Sequence, residues 1–257
     1  MEVHHHSHLA SGETHTARKK WTHYFWEFLM LFLAVTLGFF VENQREHYIE
    51  NQRARQYALF LHSDLIKDTA NLSQRIEYMA FGIQQIDTLI SILKSSAPET
   101  FTKEIYKLSQ YSYSNPVFTA NNSTMEQLKS SGSLRYFRSK TLVRYFSDYD
   151  NEIQNMKTID DRNLYVVEDT RRFLTQFLDL KGVPAPRILP RDSLIQELPS
   201  SPVVFRLYKK DIAQFEQYAN LCTLKQLDWL NRVRLMKRAL NSARNLILSL
   251  KEEYHLK

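Results

Sequence analysis

The sequence predicts an all-α protein: a single N-terminal transmembrane helix that continues into an elongated antiparallel helical bundle. Only 5 Gly and 7 Pro occur among 257 residues, which favours long helices over turn-rich β structure. Residues 24–41 form an apolar run interrupted by a single charge. The sequence after this run repeats apolar residues at alternating spacings of four and three, the pattern of helices that bury one face.

These features divide the chain into three predicted regions. Residues 1–20 are a His-rich basic tail, residues 21–42 are the transmembrane helix, and residues 43–257 are the bundle, which includes a Pro-rich loop at 182–202. The single cysteine, Cys222, excludes an internal disulfide. Because Cys222 lies on an apolar stripe, we expect a buried thiol rather than a nucleophile.

The apolar run has the length of a membrane span. Eighteen residues at ~1.5 Å each give a helix of about 27 Å, close to the ~30 Å hydrocarbon thickness. The aromatic side chains of Trp21 and Trp26 lie where a membrane-interface belt is expected, and Arg18, Lys19 and Lys20 precede them as a membrane-surface anchor. A basic start and an apolar run also fit a signal peptide, but no Ala-x-Ala-like site follows. We therefore predict an uncleaved signal anchor that contacts membrane lipid.

The distribution of positive charge predicts the orientation. The three cations before the run are adjacent and unopposed, whereas Arg45, Arg53 and Arg55 after it alternate with glutamates. By the positive-inside rule the N-terminus is cytoplasmic and the bundle lies outside the cytoplasm.

One face of the transmembrane helix has the pattern of a helix–helix contact. Glu27, Leu31, Ala34 and Gly38 are spaced by four, three and four residues, and Ala34 and Gly38 form a small-xxx-small pair that permits close approach of another helix. Two interpretations of Glu27 stay open. Its carboxylate faces another subunit across this contact face, or it extends to the headgroups.

Three long apolar stripes predict the helices of the bundle. One contains Leu72, Ile76, Met79, Ile83, Ile86, Ile90 and Leu93; a second begins near Ser139 and continues as one helix to Leu180; a third runs from Tyr208 to Tyr254. Between residues 100 and 122 we expect one or two helical turns and a loop. A capping box, Ser123 with Glu126 or Thr124 with Gln127, opens a short helix that closes at Gly132.

The sequence contains no phosphate-binding loop, His-Glu-x-x-His motif, nucleophile elbow or Cys-x-x-Cys pair, so we predict no enzyme and no cofactor. Basic residues are dispersed among nearly as many acidic ones, 34 against 28, which argues against a nucleic-acid partner. Most of the acidic residues of the central helix lie off its stripe and resemble a solvated face; the set comprises Asp148, Asp150, Asp160, Asp161 and Glu168. The basic residues 135–144, interleaved with aromatic ones, indicate a solvated or headgroup-facing helix end.

The His-rich tail is the densest group of potential metal ligands. Imidazoles as close as those of His4, His5, His6 and His8 can share Ni, Cu or Zn. A polar leader without fixed geometry is the alternative interpretation, so only weak divalent-metal binding is expected.

Residues 22–53, THYFWEFLMLFLAVTLGFFVENQREHYIENQR, and residues 123–135, STMEQLKSSGSLR, resemble a family of uncharacterised single-pass membrane proteins from Bacteroidetes-type bacteria. The resemblance implies a diderm bacterium, a membrane location and a domain of unknown function, and we expect the membrane to be the bacterial inner membrane. It implies no active site.

Three functions are compatible with these observations. The first is a non-enzymatic anchored scaffold or accessory subunit of an envelope complex, formed as a homo-oligomer or with an envelope protein partner. The second is a sensor whose extracytoplasmic four-helix bundle binds a ligand and signals through a partner. The third is metal binding by the tail.

Overall fold

The computed structural model describes residues 17–183 and 205–256, with side chains described from Trp21 onward except at Gly182. The described chain is 86% helical and has no strand, which confirms the all-α prediction. The His-rich tail and most of the Pro-rich loop lie outside the described residues.

The chain divides into two compact units, Met1–Arg53 and Ala54–Lys257. A single helix of 77 residues, α1 (Ala17–Leu93), passes from the first into the second. The predicted continuation of the apolar helix into the following sequence is therefore confirmed. The helix ends at Leu93, the last residue of its predicted stripe.

The second unit contains the remainder of α1 and a series of shorter and longer helices. Its described α-helices after α1 are α2 (Thr102–Tyr113), α3 (Ser123–Ser130), α4 (Lys140–Arg162), α5 (Leu164–Phe177) and α6 (Ile212–Tyr254). Short 3₁₀ helices occupy Pro98–Phe101, Ser133–Tyr136 and Leu180–Gly182. Local chemistry sets two of the starts: Ser139 Oγ accepts from the amide of Leu142 at 3.2 Å, and Asp211 Oδ1 accepts from that of Gln214 at 3.1 Å.

Contacts between distant residues establish the direction of the three long helices in this unit. Along α1, Asp87 accepts a hydrogen bond from Gln226 of α6, while Tyr78, nearer the start, packs its ring 5.9 Å from that of Trp229. Residue numbers thus rise along one helix as they fall along the other, so α6 is antiparallel to α1. Contacts from Glu152 to Arg238 and from Asn163 to Asp228 make α6 antiparallel to α4 as well.

The core follows the predicted stripes. Leu72, Met79 and Ile86 of α1 are fully buried, and Ile83 and Ile90 pack against the same cluster. On α6 the thiol of Cys222 is completely buried, as expected, and burial raises its pKa. Each large aliphatic side chain removed from water contributes roughly 1.5–3 kcal/mol, so these stripes supply most of the stabilisation.

A buried carboxylate fastens the loop before α3. Asp68 of α1 accepts hydrogen bonds from the backbone and side-chain amides of Asn121, at 2.9 and 2.7 Å. It also accepts a 2.8 Å bond from the hydroxyl of Tyr149 on α4. Asp68 thus accepts from three donors, and these hydrogen bonds hold the loop before α3 against α1 and α4.

The structure corrects four details of the sequence prediction. α2 has three turns rather than one or two. The last helix begins at Ile212 and not at Tyr208. The capping box is absent, since α3 has no side-chain cap and Thr124 instead donates to Asp64. Gly132 does follow α3 in the left-handed conformation, as predicted.

The fourth correction concerns the central helix, which was expected to be continuous. It breaks at Asn163, whose backbone ends α4 and begins α5. The amide side chain of Asn163 donates to Asp228 of α6 at 2.6 Å. The break contains no Gly or Pro and coincides instead with a hydrogen bond to another helix. The adjacent sequence therefore does not predict it.

Candidate membrane anchor and buried charge cluster

The apolar stretch of α1 is exposed throughout its length. An 18-residue window of this helix has a mean hydropathy of 1.9, and none of it is buried. The only polar side chain between Phe28 and Val41 is Thr36, whose hydroxyl donates to the carbonyl of Phe32 at 2.8 Å. Within the described residues, this is one helix long and apolar enough to cross a membrane. Water is a poor solvent for such a surface.

The predicted contact face lies in this stretch. Glu27, Leu31, Ala34 and Gly38 are all exposed, and nothing lies within 4 Å of the position that a Cβ at Gly38 would occupy. Glu27 has a partner that the sequence analysis missed: its Oε1 lies 3.1 Å from Nε2 of His23, one turn earlier. The i, i+4 spacing of the two residues is the signal that would have revealed it.

The flanking residues of this stretch are only partly described. Trp21 and Trp26 are exposed, and Trp21 stacks on Phe25 with the ring centroids 6.2 Å apart. Arg18, Lys19 and Lys20 lie within α1, but their side chains fall outside the description. The predicted metal ligands His4, His5, His6 and His8 lie outside the described residues. Among those described, no group of three or more His, Cys, Asp or Glu is placed to hold a metal ion.

A second feature is a group of four charged side chains and one amide side chain in the second unit. We call it the buried charge cluster and define it as Asp160, Asn163, Lys225, Asp228 and Arg232. Lys225 is completely inaccessible to solvent, and Arg232 and Asp228 are 2% and 6% exposed. Buried charges at this level are rare in proteins unless they are paired.

Arg232 is the centre of the cluster. Its Nε donates a hydrogen bond to Oδ1 of Asp228 at 3.1 Å and lies 3.0 Å from Oδ2 of the same carboxylate. Its Nη1 forms an ion pair with Asp160 of α4. Asp228 also accepts the hydrogen bond from Asn163. The cluster therefore connects α6 to the end of α4 and to the break residue Asn163, and charge pairing offsets the loss of hydration.

Lys225 is less well paired than Arg232. Its Nζ lies 4.0 Å from the nearer carboxylate oxygen of Asp228 and 5.5 Å from the centroid of the Trp229 ring. Burial lowers the pKa of Lys225 to about 7; the carboxylate of Asp228 opposes this change, while the guanidiniums of Arg232 and Arg171 add to it. Burial likewise raises the pKa of Asp160, and Arg232 opposes that change.

This cluster is the largest departure from the sequence prediction. Asp160 was interpreted as part of a solvated face, yet its side chain is only 12% exposed. The sequence prediction assigned Lys225 and Arg232 to no site. The usable signal was spacing: residues 222, 225, 229, 232 and 236 alternate by three and four, so the two cations share the face of Cys222 and Trp229.

Two surface clefts of the second unit are formed by other residues. One of about 850 Å³ lies between the end of α1 and the start of α6 and includes Lys94, Glu99, Lys210 and Phe215. One of about 440 Å³ is lined by Asp148, Asn151, Glu152, Asn155, Arg238 and Ser242. Neither has the convergent arginines and tyrosines that a ligand-binding sensor would favour.

Comparison of the chain with protein-family models, curated proteins and solved structures finds no match. The resemblance of residues 22–53 and 123–135 to a membrane-protein family thus stays a prediction.

Proposed function

We propose that the protein is a non-enzymatic, single-pass membrane protein whose helical bundle acts as an oligomeric scaffold or accessory subunit of a bacterial envelope complex. The observation that supports this is the exposed apolar stretch of α1, 21–41, on the same helix that supplies the buried stripe of the bundle. Since the stretch is apolar on every side, lipid is its natural environment.

The contact face supports the oligomeric or accessory part of the proposal. With small residues at Ala34 and Gly38, the backbone of a second transmembrane helix can approach closely, and dispersion contacts then favour association. Glu27 and His23 lie near the start of this face, where a polar pair is less costly than at the bilayer centre. The neighbouring helix belongs to a second copy of this chain or to an envelope protein.

Association is tested by purifying the full chain in mild detergent, followed by native mass spectrometry. We expect a discrete complex that is lost in the double variant Ala34→Leu/Gly38→Leu. Thr36→Leu, an enlargement on the opposite face of the helix, is the matched control and should retain the complex. A wild-type chain that is monomeric without co-purifying protein would refute the proposed association.

Topology is tested with thiol reagents that do not cross membranes. Because Cys222 is buried, the background labelling is low. We expect a cysteine at the exposed position Ser147 to react in spheroplasts and one at Ser7 to react only after lysis. The reverse pattern would place the bundle in the cytoplasm and overturn the proposed orientation.

A further inference from the structure

A group of positive charges lies between α3 and the first turns of α4. Arg135, Arg138, Lys140 and Arg144 alternate with aromatic residues, and we call these four the basic cluster. All four side chains are exposed. The guanidinium carbon of Arg135 lies 5.3 Å from the ring centroid of Tyr136, and that of Arg144 lies 5.3 Å from that of Tyr145.

The basic cluster is not neutralised by the protein. Within the described residues, none of its four members forms an ion pair with a carboxylate, whereas nearby Lys129 binds both Glu126 and Asp150 and Arg238 binds Glu152. Four exposed cations without acidic partners produce a positive potential that attracts an anionic surface. The aromatic rings keep two of the guanidiniums oriented at modest entropic cost.

The helix register places the basic cluster at one end of the second unit. Phe137 packs edge-on against Tyr254, the last residue of α6, with ring centroids 5.9 Å apart. Since α6 is antiparallel to α1, the end of α6 lies beside the start of the buried part of α1. Consistent with this, the ammonium of Lys251 adds to burial in lowering the pKa of His62. The basic cluster therefore lies at the end of the unit where α1 enters.

The second unit follows the apolar stretch closely in the sequence. Only residues 42–53 separate that stretch from Ala54, where the second unit begins. All twelve residues belong to α1.

We propose that the basic cluster is a docking surface for anionic lipid headgroups of the membrane that anchors the chain. The proposal rests on the anchoring proposed above. Guanidiniums bind phosphate oxygens in bidentate geometry, and tyrosines are enriched at the level of the headgroups. Binding through this surface depends on the charge of the lipid headgroups, whereas insertion of the apolar helix does not.

The test uses the full chain in nanodiscs of zwitterionic lipid, with or without phosphatidylglycerol. A fluorophore at the exposed position Thr141→Cys reports proximity to a headgroup quencher, and buried Cys222 stays unlabelled. We expect stronger quenching with phosphatidylglycerol and loss of the difference in high salt. Each neutralised cation should weaken the docking equilibrium about fivefold, since a juxtamembrane cation contributes ~1 kcal/mol.

Two quadruple variants of equal charge make the test specific. Arg135→Gln/Arg138→Gln/Lys140→Gln/Arg144→Gln should show the same low quenching in both lipids. The control variant is Lys103→Gln/Lys107→Gln/Lys209→Gln/Lys210→Gln, which also removes four exposed charges. These lysines lie in α2 and just before α6, and Lys210 lines a cleft together with the end of α1, far along α1 from the basic cluster. This control should behave as wild type. Equal quenching in both lipids for wild type, or equal effects of both variants, would overturn the docking surface.

Alkaline carbonate extraction of membranes separates the two proposals. A chain that carbonate releases would refute the anchor, and the docking surface with it. A chain that is retained but quenched equally in both lipids would refute the docking surface alone and leave the anchor intact.

Discussion

The two parts of α1 share one helical geometry but differ in which side chains are exposed to solvent. Between residues 21 and 41 the helix is apolar on all sides and exposed on all sides. Between Ala54 and Leu93 apolar residues recur at spacings of three and four, and the stripe that they form is buried, whereas apolar residues off the stripe, such as Phe60 and Phe81, are exposed. Burial therefore follows the periodicity of the apolar residues and not their density. A helix that is apolar on all sides has no single face to pack against a protein neighbour. A helix with one apolar stripe packs that stripe against neighbouring helices.

The largest expected effect comes from placing one charge in each part of α1. Leu72→Lys puts an unpaired ammonium in the core and should cost roughly 5 kcal/mol or more, comparable with the whole stability of a domain. Leu33→Lys should change the free energy of unfolding of the second unit by less than ~0.5 kcal/mol. It should instead weaken membrane insertion by about 2.5–3.5 kcal/mol.

Denaturant unfolding in detergent measures the first quantity and carbonate extraction the second. If Leu33→Lys destabilised the second unit as much as Leu72→Lys does, the distinction between the two parts of α1 would be wrong.

The next largest effect concerns the charges on the helix that faces the buried part of α1. Asp228→Ala removes the carboxylate that pairs with Arg232, Asn163 and Lys225 and leaves two buried cations with one remaining acid. We expect a loss of about 3–5 kcal/mol in the free energy of unfolding. Asp161→Ala, an exposed acid beside Asp160, is the control and should stay within ~0.5 kcal/mol. Equal effects would show that the buried charge cluster contributes nothing specific.

Lys225 should make stability depend on pH. Between a folded pKa of about 7 and the ordinary value of 10.5, the unfolded chain holds a proton that the folded chain lacks. The free energy of unfolding therefore rises with pH in this window, by at most ~1.4 kcal/mol per pH unit from this group. Below pH 7 the ammonium of Lys225 destabilises the folded protein by its full amount.

Lys225→Met removes this dependence, so its stabilisation relative to wild type should be larger at pH 7 than at pH 9 by roughly 2–3 kcal/mol. Urea unfolding at both pH values measures the difference. Lys237→Met, on the exposed side of α6, should show none. A stabilisation by Lys225→Met that is the same at both pH values would mean that the ammonium stays charged in the folded protein.

The smallest effect compares two glycines on α1. A Cβ at Gly82 would overlap the ring of Trp229, whereas at Gly38 it would meet nothing within 4 Å. Gly82→Ala should therefore cost about 1–3 kcal/mol through overpacking. Gly38→Ala should leave the thermal unfolding of the second unit unchanged. Thermal melts by circular dichroism report both, and a neutral Gly82→Ala would indicate that Trp229 moves aside freely.

Sequence reasoning succeeded where the signal is local or periodic. The buried stripe of Leu72, Met79 and Ile86, the end of α1 at Leu93, and the left-handed Gly132 were all predicted from spacing and turn chemistry. It failed at Thr124, which was assigned to a capping box but donates to Asp64 of another helix. It failed again at Asp160, since a carboxylate off the apolar stripe is usually solvated and only its partner Arg232 makes burial acceptable.

The helical class, the continuity of α1 and the exposed apolar stretch were determined by the sequence alone, because hydrophobic periodicity and scarce Gly and Pro act within one helix. The tertiary structure decided which charged residues are buried, where the central helix breaks, and at which end of the bundle the basic cluster lies. These depend on the register between helices that are far apart in the chain. Spacing within α6 places Lys225 and Arg232 on the buried face, but only the packing of α4 against α6 brings the carboxylate of Asp160 to Arg232.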